Sequence, residues 1–284
     1  MKCTLTYKAK TFVVSISEDG FGDLLFDEAA MQTKIAPKRI IIAYNKNGED
    51  IQIKKDTKIK DIGVTSFIVK DAGVSVNWKT VFFLMYFGPL LIEMLLVLLL
   101  GDKVKWNCYF TIGFIMWELH YIKRTSESLF FHNYSRSLMQ VGEVFVNCLY
   151  YWGFTIAVNY NMIKKAQTVE NVELCQYIAI PFWFVCECLN FYSHNTLAHL
   201  RPKGSKEHVL PKGFLFNHIT APNYTFEILG WFCFAVYSDL TSAIIFASCG
   251  GIIMFFKAHQ KRKCYIKRWP EAKYRGRLTL IRFL

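Results

Sequence analysis

The sequence predicts a multi-pass α-helical membrane protein with a small β-rich domain in front of it. Three observations carry this. Hydrophobic residues make up 53% of the 284 residues, and Phe, Tyr and Trp 17%, an excess that points to lipid as the main solvent. Apolar runs long enough to cross a hydrocarbon core of about 30 Å recur from Val81 onward. The first seventy residues have no such run and alternate apolar with polar instead. The expected division is a first domain over 1–75 and a membrane domain over 76–284.

In the first domain, Thr4, Thr6 and Lys8 alternate with Leu5, Tyr7 and Ala9, and Thr11–Ser17 is rich in β-formers. Both read as strands of a half-buried sheet. Leu24–Lys34 has helical spacing, with Phe26, Ala30 and Met31 on or near one face, and Pro37 stops it. Arg39–Tyr44 reads as a strand, Asn47-Gly48 as a turn, 56–62 as a short capped turn and Phe67–Lys70 as a last strand. Two strands, a helix and further strands suggest a ubiquitin-like β-grasp module. It carries no catalytic constellation, so it is either a docking surface or a stabilising cap.

The membrane part reads as about six spans: Val81–Leu100, Cys108–Tyr121, Val144–Tyr160, Leu174–Tyr192, Phe226–Tyr237 and Ala243–Phe256. With the N-terminal domain in the cytosol, the cytosolic segments are 123–140, 193–224 and 257–284. These hold most of the membrane domain's Lys and Arg, ten of them between Lys257 and Arg282; the opposite loops hold Lys103, Lys105, Lys164 and Lys165. Both termini are therefore expected in the cytosol, and the sequons at Asn133 and Asn223 face away from glycosylation. The net charge of +12 is spread over these flanks, which suits an anionic membrane and speaks against nucleic acid. The nine cysteines show no metal spacing and read as reduced, mostly buried side chains; no metal is expected. Met1–Lys10 is polar and alternating, so no cleavable signal peptide is expected.

The longest polar interruption of the apolar part runs from Asn190 to Glu227. It contains Asn190, His194, Arg201, Ser205 and Lys206, then Pro222-Asn223-Tyr224 and Glu227. Polar side chains at membrane depth face a cavity or serve a function. Composition alone favours a solvated loop at a membrane exit. There is no Gly-x-Gly-x-x-Gly after a strand, so a Rossmann site is not expected.

The pattern Asn190-x3-His194-x2-Leu197-x2-Leu200-Arg201-x2-Gly204, followed by Pro222-Asn223-Tyr224-x2-Glu227, resembles the steroid 5-alpha-reductase superfamily. Within it, the chain looks most like trans-2-enoyl-CoA reductase. His120-Tyr121-Ile122-Lys123-Arg124, then Glu127, Phe130 and His132, resembles a signature of that family, as does Tyr150–Phe154. The resemblance implies an NADPH-dependent reduction of trans-2-enoyl-CoA at the endoplasmic reticulum membrane, the last step of very-long-chain fatty acid elongation. Membrane lipid, a long-chain enoyl-CoA and other elongation enzymes are the implied partners. It implies Tyr224 as the acid. Asn190, His194, Arg201, Ser205, Lys206, Asn223 and Glu227 would hold the cofactor, and Tyr265 would close the site. A solvated basic face fits Lys206 and Lys261 equally well.

One departure bears on catalysis. The family carries a Glu two residues before Ala-Gly-Pro-Leu; here Leu84–Leu90 places Met85 at that position. Met neither donates nor accepts a proton. Glu93, two turns on and roughly 80° round the helix, and Glu118 on the next span are the carboxyls able to take the role. The C-terminus also only loosely matches the family. A steroid or polyprenol double-bond reductase, a catalytically weakened relative that binds lipid or partners, and a membrane methyltransferase are the rival readings.

Overall fold

The computed structural model describes residues 1–17, 20, 22–35, 37–46, 48–132, 138–169, 171–200, 209–269 and 278–280. Asn47, the sequon at Asn133, Arg136, and Arg201, Ser205 and Lys206 lie outside these residues, as do most of the C-terminal departures. The chain forms two compact units, Met1–Asn77 with Leu138–Val144, and Trp78–Ser137 with Phe145–Leu284.

The first unit is built on a five-stranded sheet and one helix. Its elements are β1 (Lys2–Tyr7), β2 (Lys10–Ser15), α1 (Gly22–Thr33), β3 (Ile40–Lys46), β4 (Glu49–Gln52) and β5 (Ser66–Asp71), in sheet order β2-β1-β5-β3-β4. β1 and β5 pair in parallel, with Leu5 opposite Phe67; the other pairs are antiparallel. Period-2 alternation sends Cys3 and Leu5, Ile40 and Ile42, and Phe67 and Val69 to one face, where they meet Leu25, Phe26 and Ala29 of α1. The helix therefore buries a face slightly different from the expected one: Ala30 sits at its margin and Met31 is exposed. The short strands β6 (Ser75–Asn77) and β7 (Leu138–Gln140) pair antiparallel in this unit. Sequence alone gave no sign of them, because the pairing joins distant stretches of chain.

The second unit is helical: α2 (Trp78–Leu100), α3 (Cys108–Ser126), α4 (Val141–Ala166), α5 (Leu174–Ala198), α6 (Pro222–Ser238) and α7 (Thr241–Arg268). A π-helical turn, Glu127–Phe131, prolongs α3. Among the described residues, the helices beginning at Trp78, Val141, Leu174 and Thr241 are four that are long and apolar enough to cross a membrane. α3 is interrupted by Glu118, His120, Lys123 and Arg124, and α6 has only 17 residues. Starts and stops have local causes. Asn107 caps α3 by accepting from the Phe110 amide, Glu173 and Gln176 form a capping box on α5, and Pro222 opens α6. α7 runs twelve residues past the expected Phe256, through the basic stretch to Arg268. Lys and Arg are good helix formers, and cations in the last turn face the negative end of the helix dipole.

Close backbone approach at one glycine ties α2 to α4. A Cβ on Gly88 would lie 2.0 Å from Trp152 Nε1, whereas nothing lies within 4 Å of one on Gly153. Trp152 Nε1 also donates to the Leu84 carbonyl at 3.2 Å. Gly88→Ala should therefore destabilise the detergent-solubilised protein by about 1–3 kcal/mol through overpacking. Gly153→Ala, in the same helical context without the contact, should be neutral or stabilising by up to about 1 kcal/mol. Thermal melts of the two variants check this; equal melting temperatures would refute the packing account.

Candidate active site

Three helices each present a polar stripe at helical spacing, and the stripes converge. α3 and the turn after it supply His120, Lys123, Arg124 and Glu127. α5 supplies Glu187, Asn190 and His194. α6 supplies Asn223, Glu227 and Trp231. Spacings of three or four residues put each set on one face. Of these side chains, His120, Arg124, Glu127, Asn190, His194, Asn223 and Trp231 are buried.

Asn190 is the hub of one half. Its Nδ2 donates to the Asn223 carbonyl at 2.8 Å and to Glu227 Oε2 at 2.9 Å, and its Oδ1 accepts from Lys123 Nζ at 2.6 Å. Lys123 also pairs with Glu187 at 2.6 Å. His120 bridges the two carboxylates, with Nδ1 2.8 Å from Glu187 and Nε2 3.4 Å from Glu227. Trp231 Nε1 donates to Glu227 at 3.4 Å. Cations and anions alternate through this belt, as burial requires.

Arg124 is the hub of the other half. Its guanidinium donates to Glu127 and, at 2.8 Å, to the Tyr86 hydroxyl, and lies 4.6 Å from the Tyr86 ring centroid. His194 Nδ1 lies 2.7 Å from Arg124 and 2.8 Å from Glu127, so one tautomer accepts from the cation and the other donates to the carboxylate. Asn223 Nδ2 is 3.5 Å from His194 Nε2, which joins the two halves. The ligand atoms of Glu127, His132 and His194 lie within 4.8 Å of one another, a spacing that suits a metal ion. Arg124 already supplies the positive charge there, and an ion would have to displace it.

Several buried polar atoms of the cluster have no hydrogen-bond partner among the described residues: Arg124 Nε, Glu127 Oε1, Asn223 Oδ1 and the Tyr121 hydroxyl. Buried polar atoms are normally paired, and each orphan costs about 1–3 kcal/mol. Donors and acceptors standing together in this way fit a polar ligand with both, such as a carboxamide-bearing cofactor. Tyr224 stands on α6 one turn before Glu227. It is half-buried, and its hydroxyl takes no partner among the described residues. Burial raises its pKa; among the charges around it, Tyr86 and Glu227 raise it and Arg124 lowers it, so Tyr224 shares one environment with the Arg124 half of the cluster.

The structure thus brings together Asn190, His194, Asn223, Glu227 and Tyr224. Tyr265 stacks edge-on against Trp269 along α7, with centroids 5.6 Å apart. Glu93 and Glu118 are electrostatic neighbours on α2 and α3; Glu93 is fully buried, and neither of its oxygens has a hydrogen-bond partner among the described residues. Glu93 lies seven residues beyond Tyr86, which is about 10 Å further along the helix. Met85 is buried next to Tyr86. Residue-by-residue reading assigned no role to Lys123, Arg124, Glu127, Glu187, Tyr86 or Trp231. The signal that finds them is charge repeated at i, i+3 and i+7 inside otherwise apolar helices.

Glu127 lies outside the spanning helices and reports on the network. Burial pushes its carboxyl up, but Arg124 and the His194 hydrogen bond outweigh that and bring it from 4.5 to about 2. A folded-state pKa below the unfolded value contributes stability that is present above 4.5 and lost as pH falls toward about 2. The melting temperature should fall across that window. Glu127→Gln should flatten the fall while lowering stability at neutral pH by about 3–5 kcal/mol, because Arg124 keeps a buried unpaired charge. An unchanged pH profile in the variant would contradict the pairing.

The chain is similar in sequence to several known proteins. The sequence pattern of the 3-oxo-5-alpha-steroid 4-dehydrogenase family matches residues 137–284. The chain is 31% identical over 269 residues to "Very-long-chain enoyl-CoA reductase" of Dictyostelium discoideum, covering 90% of this chain and 89% of that protein. It is 31% identical over 265 residues to "Probable very-long-chain enoyl-CoA reductase" of Caenorhabditis elegans, with 85% and 86% covered. It is 30% identical over 235 residues to "Trans-2,3-enoyl-CoA reductase-like" of Mus musculus, with 76% and 65% covered. With a membrane-type helical unit, a converged polar cluster and similarity over most of its length, the chain belongs to the enoyl-CoA reductase branch of the steroid 5-alpha-reductase family.

Proposed function

We propose that this chain reduces trans-2-enoyl-CoA to saturated acyl-CoA with NADPH, as the last step of very-long-chain fatty acid elongation at the endoplasmic reticulum membrane. The observation that carries the reading is the Tyr224 hydroxyl, without a hydrogen-bond partner among the described residues, beside a buried cluster with orphaned donors and acceptors. Six spans with both termini cytosolic fit the distribution of Lys and Arg. The strand order and single helix of the first unit support a ubiquitin-like β-grasp module, which would serve elongation partners as a docking surface.

Reduction of an unsaturated thioester needs a hydride at the β-carbon and a proton at the α-carbon. Negative charge builds on the thioester oxygen between the two events. NADPH supplies the hydride when bound, since no side chain can. Asn190, His194, Asn223 and Glu227 are the residues that would hold it, with Arg201, Ser205 and Lys206 for its phosphates and Tyr265 closing the site. The orphaned Asn223 Oδ1 suits the carboxamide N–H, and Arg124 Nε suits an acceptor oxygen. Tyr224 gives its hydroxyl proton to the α-carbon, because a phenol stays protonated at neutral pH. Trp117, Tyr121 and Trp231 pack together beside the cluster and would keep water away from the reacting carbons. Met85, where the family has Glu, favours a second reading, a relative with weakened turnover that still binds the same ligands.

Purified protein should oxidise NADPH when given a long-chain trans-2-enoyl-CoA. Tyr224→Phe should lower kcat by about 10²–10⁴-fold, the usual worth of acid catalysis, with NADPH affinity intact. A variant within about threefold of the parent would leave Tyr224 as an interfacial anchor. Glu93 and Glu118 remain the carboxyls for the role that Met85 cannot play, acting from about 10 Å deeper. Glu93→Gln should therefore cost less than Tyr224→Phe; an equal loss would mean that the carboxyl touches the reacting atoms.

A further inference from the structure

The basic face of α7 is not uniform. Lys257, Lys263, Lys267 and Arg268 are exposed, while Lys261 is half-buried. Its ammonium lies 5.6 Å from the centroid of the Tyr224 ring. Ala258, one turn earlier, is fully buried in the cluster against which Tyr224 packs, so α7 is held against that ring. Among the described residues Lys261 forms no hydrogen bond and no ion pair, and no carboxylate faces it. The charged and titratable groups around Tyr224 are Tyr86 from α2, Arg124 from α3, Glu227 from α6 and this lysine from α7. Glu227 is committed to His120, Asn190 and Trp231. Arg124 is committed to Glu127 and Tyr86. Among the described residues around Tyr224, Lys261 is the cation without an ion pair or hydrogen bond.

We propose that Lys261 is the positioning residue of Tyr224, an ammonium over the phenol ring that stabilises the tyrosinate formed when the proton leaves. This rests on the reading of Tyr224 as the acid. A cation over the face of a neutral phenol is attracted weakly, through the ring quadrupole. When the hydroxyl gives up its proton, the O–H electron pair stays on Tyr224 and its charge spreads over oxygen and ring. The enolate's electron pair forms the new C–H bond at the α-carbon, and the thioester carbonyl re-forms. The same lysine then faces an anion, so its attraction is stronger in the transition state than in the ground state. Only interactions of that kind raise kcat. Solvent returns a proton to the tyrosinate afterwards, and Lys261 itself transfers none. A carboxylate beside the lysine would cancel its field at the ring, and none stands there among the described residues.

The test uses the full-length protein with Lys261→Met, Lys261→Arg, Tyr224→Phe and the Lys261→Met/Tyr224→Phe double variant. Lys261→Met should lower kcat by about tenfold to thirtyfold, the rate equivalent of a desolvated cation over an aromatic face. NADPH Kd and enoyl-CoA KM should hold, and Lys261→Arg should recover most of the rate. In the Tyr224→Phe background the methionine substitution should cost less than about twofold, since coupled residues are not additive. At neutral pH the ultraviolet band of Tyr224, taken as the difference from Tyr224→Phe, should move when Lys261→Met removes the charge that faces the ring. A raised NADPH Kd at unchanged kcat, or a full loss in the Tyr224→Phe background, would make Lys261 a phosphate anchor and overturn the proposal. So would a Tyr224 band that Lys261→Met leaves unmoved. If the parent itself fails to reduce enoyl-CoA, the reading of function fails, and the Tyr224 band still decides whether the two side chains are paired.

Discussion

A guanidinium buried as deeply as Arg124 cannot stand alone in an apolar bundle, because an unpaired charge there costs several kcal/mol. Its neutralisation is the constraint on which the rest of the helical unit depends. Glu127 supplies the countercharge from a π-helical turn, where the chain has room to place one carboxylate under Arg124. His194 and Tyr86 complete the shell from α5 and α2. Fixing those contacts fixes the register of three helices. Asn190 then sets the spacing of α5 and α6 through the Asn223 carbonyl. A buried network of this kind contributes little net stability and much geometric definition. That definition is what a reaction needing two deliveries to neighbouring carbons requires.

Much of the fold was legible in the sequence because its signals are local. Alternation in Thr4–Ala9, the stop at Pro37 and the apolar runs from Val81 each depend on a few adjacent residues. The helix ends were less legible. α7 continues through Lys257–Arg268 because basic residues favour a helix as readily as they favour water, so charge marks the membrane edge without marking the helix end. The β6–β7 pair was illegible, since neither three-residue strand carries a pattern of its own. Met31 shows the limit of periodicity: a shift of one residue in the buried stripe of α1 leaves the apolar count unchanged.

The candidate site was legible in part for a similar reason. Asn190, His194, Asn223, Tyr224 and Glu227 lie within one polar stretch and two helices, and stand out against apolar neighbours. Their partners come from α2 and α3, where Tyr86 looks like any interfacial aromatic and Arg124 like a flanking cation. What makes them part of the site is a hydrogen bond between residues 38 apart in the chain, which no local pattern encodes. The same distance hides the Lys261–Tyr224 contact between α7 and α6. Glu93 and Glu118 were visible as intramembrane carboxyls, but only the fold shows that they are neighbours, about two turns along α2 from Tyr86.

The central claim is that the chain delivers a cofactor hydride to one carbon and a proton, through Tyr224, to the next. Isotope placement in the product tests it most directly. Purified protein given deuterium-labelled NADPH in ordinary water should yield saturated acyl-CoA with one deuterium at the β-carbon. Unlabelled NADPH in deuterated water should put one deuterium at the α-carbon, and Tyr224→Phe should slow both without changing their positions. Enoyl-CoA recovered unchanged, or product whose β-hydrogen came from water, would contradict the account.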